Sequence, residues 1–132
     1  MESFKIYTSA YWHPKVKEGV ASEALCPVGI TLYGNRQNYG YKVVRRITEL
    51  APDKSLFSLR DDEAQFSALF WDRLESTWEV AEDKLLQVMA EYPSQDLVLL
   101  CFDNLKKEGQ WCHRTQVAKF ISDRWDMEIV EL

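Results

Sequence analysis

The chain alternates short apolar runs with longer stretches of helical period. DLVLLCF, at 96–102, sets six consecutive apolar residues after an aspartate. An unbroken run of that length predicts a central strand buried on both faces. FKIYTS at 4–9 is rich in strand-forming residues and predicts the first strand. CPVGITLY at 26–33 predicts the second, and MEIVEL at 127–132 the last. Between the first two lies AYWHPKVKEGVASEA, with Pro14, Gly19 and no clear period. It predicts a long loop with no more than a helical turn. GNRQNYGY at 34–41 is turn-rich.

KVVRRITEL at 42–50 predicts a helix that stops before Pro52, because the residue before a proline avoids helical angles. Leu56 to Leu59 predicts a short strand or an extended segment. DDEAQFSALFWDRLES at 61–76 places Phe66, Leu69, Phe70 and Leu74 on one helical face. Its acidic front, Asp61 and Asp62, suits a helix start. A separate helix is predicted from Glu79 to Tyr92, with Val80, Leu85, Val88 and Met89 inward. Another runs from Arg114 to Trp125, with Val117, Phe120 and Ile121 inward. Strands alternating with helices predict a three-layer α/β fold. Its mainly parallel sheet has about four to five strands, with helices on both faces. Residues 1–132 form a single domain on this reading, since 132 residues can bury a core without metal or disulfides.

Charge narrows the partners. Sixteen basic against 21 acidic residues give a net charge of −5. That argues against non-specific binding to nucleic acid or anionic membrane, which needs a positive field. No apolar run approaches the roughly 18 residues of a membrane span. The first residues, MESFKIYTSAYW, lack a charged leader with an apolar stretch behind it. A cytoplasmic protein with reduced thiols is therefore expected. Its three cysteines are too few for a disulfide scaffold. Aromatic residues reach 13%, more than a core alone calls for, and suit a binding cleft.

In an open parallel sheet, ligands bind beyond the carboxyl ends of the strands. Residues 101–114 fall there. Cys101 and Asp103 leave the strand, a solvated loop follows, and Trp111, Cys112, His113 and Arg114 open the last helix. A helix start offers unpaired N–H groups and partial positive charge. Arg114 adds a planar fork of donors, so the stretch makes a cradle for a small anion. The same field lowers the pKa of a thiol at Cys112, and His113 can carry a proton. Thr8, Ser9, Tyr11 and Trp12 follow the first strand to the same edge. Tyr33 ends the second strand and Arg36 follows it. Hydroxyls and rings there suit a nucleotide-like ligand enclosed by Trp111, Tyr11 and Tyr33. The competing chemistry is a thiol-dependent enzyme with Cys112 as nucleophile, His113 as proton carrier and Cys101 as partner thiol. A protein-interaction module is the third class. Ten residues between Cys101 and Cys112 match no tight zinc-ligand spacing, so no metal and no cofactor is expected.

The order LLCF-D, then Cys112-His113-Arg114, with IYTS as first strand, resembles domain-of-unknown-function family 488. KIYTS, ELAP and FWDRL are similar to its compact phage and bacterial members, so the likeness covers most of the chain. It implies a small α/β fold with a site at Cys101, Asp103, Cys112, His113 and Arg114, and no settled biochemical role. Many members carry Asp-Val-Arg at the end of the second strand, where this chain has Thr31-Leu32-Tyr33. Glutamate is common where this chain has Asp103. The lost aspartate implies binding without turnover, as in a sensor or a phage-type sponge for a signalling nucleotide.

Overall fold

The apolar run at the centre of the prediction organises the molecule. The structure, a computed structural model, describes residues 5–32, 39–59, 62–102 and 113–132. Among them, Asp96–Cys101 is the middle strand of a five-stranded, all-parallel sheet. The strands in chain order are β1 (Ile6–Ala10), β2 (Leu25–Gly29), β3 (Arg45–Arg46), β4 (Asp96–Cys101) and β5 (Ile129–Glu131). Their spatial order is β3-β2-β4-β1-β5. β4 pairs with β1, setting Ala10 beside Cys101, and with β2, setting Gly29 beside Leu100. Leu97 through Cys101 are all buried, as a strand covered on both faces must be.

Alternation along β4 divides the core into two. Leu97 and Leu99 join a large cluster with Phe66, Phe70, Leu74, Leu85, Val117 and Phe120. Those partners come from helices α2 (Glu63–Glu91) and α3 (His113–Trp125). Val98 and Leu100 face the opposite way, onto Tyr11 and Val16, the latter on helix α1 (Pro14–Ala21). The three layers are thus α1, sheet, and α2 with α3. The crossover from β1 to β2 and those from β3 to β4 and β4 to β5 travel in opposite directions along the sheet. One crossover handedness then puts their helices on opposite faces, as observed. Consequently β1 and β4 are neighbours whose outgoing connections leave to opposite sides. A crevice at such a switch point is where open α/β sheets place their ligands.

Four local expectations are corrected. The segment after β1 is no long loop, because Pro14 starts α1 at a position where proline's missing N–H matters least. His13 caps it, Nδ1 accepting from the Lys15 N–H at 3.1 Å. Residues 42–50 are not a helix. Their branched side chains feed the edge strand β3, whose Arg45 pairs with Val28, and then a short 3-10 turn, Thr48–Leu50. Lys54–Leu59 is a second 3-10 segment in place of a strand. The two middle helices are one helix of 29 residues. No glycine or proline interrupts it, and the Ser76 and Thr77 hydroxyls donate to the Arg73 carbonyl at 2.8 and 2.9 Å, inside its own turns. Asp62 caps that helix as anticipated, accepting from the Gln65 N–H.

Candidate functional site at the carboxyl ends of β1 and β4

On the α3 side of the sheet, four residues from four elements converge. Cys101 ends β4, Thr8 lies on β1, Glu131 ends β5 and Arg114 belongs to the first turn of α3. Arg114 is only 2% exposed. Its Nε lies 3.0 Å from Glu131 Oε1 and its Nη2 lies 2.9 Å from Oε2, a forked ion pair. Nη1 points the other way, 2.8 Å from Cys101 Sγ. Thr8 Oγ1 donates to Glu131 Oε1 at 2.7 Å, tying the carboxylate to the centre of the sheet. All three guanidinium nitrogens are therefore engaged within the protein. The anticipated outward anion clamp is an inward one, which grips a carboxylate and a sulfur.

His113 opens α3 but turns away from this cluster. Its Nε2 donates to the Ile30 carbonyl at 2.6 Å, and its ring meets Phe70 edge-on at 5.7 Å. Burial, followed by the charge of Arg114, pushes its pKa down to about 4 against the opposing pull of the Ile30 bond. The imidazole is thus neutral at physiological pH.

The α1 side of the same rim is aromatic. Tyr11 is buried, its hydroxyl 3.0 Å from Thr31 Oγ1 and its ring 4.8 Å from Phe102. Tyr39 stacks on Tyr11 at 6.2 Å, and Tyr41 donates its hydroxyl to the Tyr11 carbonyl. Burial raises the pKa of Tyr11 and Tyr41. Among the described residues of this rim, two rings stay open to solvent: Trp12 at 40% and Phe102 at 42%. The indole Nε1 donates to the Phe102 carbonyl at 3.3 Å, joining the loops that leave β1 and β4. Ser9, on the same face of β1 as Tyr7, is fully buried, and its Oγ has no hydrogen-bond partner among the described residues.

Of the residues singled out in the sequence, the structure joins Cys101 with Arg114, and Tyr11 with the rim. It bonds His113 to the Ile30 carbonyl. Tyr33, Arg36, Asp103, Trp111 and Cys112 lie outside the described residues. The expected reduced state is corrected at Cys101, which is disulfide-bonded, while Cys26 in the core is free. Glu131 was missed. Its signal lay in the alternation of EIVEL, which puts Glu131 on the same side as the core-facing Ile129. Among the described residues, no group of three or more His, Cys, Asp or Glu is placed to hold a metal ion. No described helix is long and apolar enough to cross a membrane. No family model, curated protein or solved structure matches the chain.

Proposed function

We propose that this protein is a cytosolic thiol–disulfide protein whose redox pair is Cys101, at the β1–β4 switch point, and Cys112. The observation that carries the reading is the buried guanidinium nitrogen 2.8 Å from the Cys101 sulfur, a sulfur that is itself disulfide-bonded. A fixed cation beside a sulfur favours the thiolate, the form that attacks and leaves in disulfide exchange. In the forward direction the two thiols lose two protons and two electrons, and a disulfide acceptor is reduced to two thiols. Of the three cysteines Cys26 is free in the core, which leaves Cys112 as the partner this reading assigns to Cys101. Peptide mapping after blocking free thiols tests it. A Cys101–Cys112 linked peptide is expected in air, replaced by two labelled thiols after a dithiol reductant. Full labelling of both before reduction would defeat the reading.

A second reading is a binder of a small anionic, nucleotide-like ligand at the same rim. The solvent-open pair Trp12 and Phe102 favours it, because flat rings at a strand-end crevice suit base stacking. Thermal melts against a nucleotide panel check it. At least one compound should raise the wild-type melting temperature more than that of Trp12→Ala, and equal shifts throughout would count against it.

A further inference from the structure

The Cys101 sulfur does not meet a bare arginine. It meets one arm of a guanidinium whose other two nitrogens are held by a carboxylate, with that carboxylate held in turn by Thr8. We propose that Glu131 is the positioning residue of this centre: acting through Arg114, it aims Nη1 at the sulfur and tempers the charge the sulfur meets. The inference rests on the reading that Cys101 reacts as a thiol.

The geometry separates the two roles. Aim comes from the fork, because two parallel bonds fix the guanidinium plane where one would leave it free to swing. Tempering comes from charge, because an anion on the far side of the guanidinium cancels part of its pull on a thiolate. Glu131 is also the member of the cluster that meets solvent. At 36% exposure it lines a groove of about 330 Å³ between α3 and β5, with Thr8, Thr115, Lys119 and Glu128. A glutamine there keeps a carbonyl acceptor for Arg114, and its amide can reach water.

The test uses the full chain with Cys26→Ala and Cys112→Ser, so that Cys101 is the sole thiol. Its pKa is read from thiolate ultraviolet absorbance against pH. Glu131→Gln is expected to lower that pKa by about one unit, because the cation is no longer tempered. Arg114→Met is expected to raise it, because burial is no longer opposed. With Arg114→Met already present, Glu131→Gln should lower the pKa by less than half as much, because a carboxylate no longer held by the fork turns to water, which screens its charge. This doubly neutral protein strands no buried charge, so its difference from Arg114→Met can be read even if Glu131→Gln alone does not fold, and a full unit there overturns the proposal. The proposal is also overturned if Glu131→Gln leaves the pKa where it was, or lowers it equally without Arg114. Whether the two cysteines cycle is read separately, from the disulfide potential of protein retaining both. A pair that never closes defeats the redox reading and leaves the pKa series intact.

Discussion

Arg114 and Glu131 form an ion pair that is buried on one side only, the arginine at 2% exposure and the glutamate at 36%. Removing either partner should therefore have unequal consequences. Glu131→Ala strands a cation that water cannot reach, and should cost about 3–5 kcal/mol of folding stability. Arg114→Met leaves a carboxylate that water can hydrate and Thr8 still bonds, and should cost about 1–2 kcal/mol. Urea denaturation of the two variants checks the order. Equal losses, or a larger loss for Arg114→Met, would mean the pair is solvated in a way the burial does not convey.

That asymmetry also marks where the sequence was readable. β4 was legible because a run of six apolar residues has few other uses, and α3 because Val117, Phe120 and Ile121 recur at helical spacing. The layer order followed from alternation of element types. What escaped depended on contacts between distant residues. KVVRRITEL carries helical and strand signals together, and pairing of Arg45 with Val28 decides between them. The two predicted helices were parted at residues 77–78, where no apolar spacing carries one into the other. Trp78, packed against Phe120 and Trp125, holds the chain helical there. Cys101 and Arg114 were visible as candidates, but the inward aim of the guanidinium was not. It depends on Glu131, which reaches Arg114 only once β5 has joined the sheet beside β1.

Gly29 is where the aromatic rim leaves no room for a side chain. A Cβ there would lie 2.6 Å from the Tyr11 hydroxyl oxygen. That ring cannot easily retreat, being held by Phe102, Tyr39 and the bond to Thr31. Gly29→Ala should cost about 1–3 kcal/mol through overpacking. Adding Tyr11→Phe removes the clashing oxygen and should recover most of the loss. A double-mutant cycle therefore gives a favourable coupling. Simple additivity of the two substitutions would place the clash elsewhere.

Cys26 should be silent in every thiol assay on the native protein. It is fully buried, and burial with the nearby charge of Glu91 pushes its thiol up to about 11. Little thiolate forms near neutral pH, and reagents cannot reach what does. Labelling of Cys26 at about pH 8 should track the unfolded fraction across a denaturant series. Fast labelling without denaturant would show that the β2 side of the core opens locally.

His113 should make the fold acid-sensitive in a defined window. Its folded pKa, about 4, lies below the ordinary value of 6.5, so between these limits the unfolded chain binds the extra proton. The stability that follows from keeping the ring neutral is complete above about pH 6.5 and is lost as pH falls toward 4. The full loss has a ceiling of about 3 kcal/mol. His113→Gln can retain a donor for the Ile30 carbonyl but cannot titrate. Its melting temperature should thus fall less between pH 6.5 and 4 than that of the wild type. Arg114→Met supplies a second check, because losing the adjacent cation relaxes the depression and should make the fall in melting temperature between pH 6.5 and 4 shallower than in the wild type. Parallel curves for wild type and His113→Gln would assign the acid limb to the carboxylates instead.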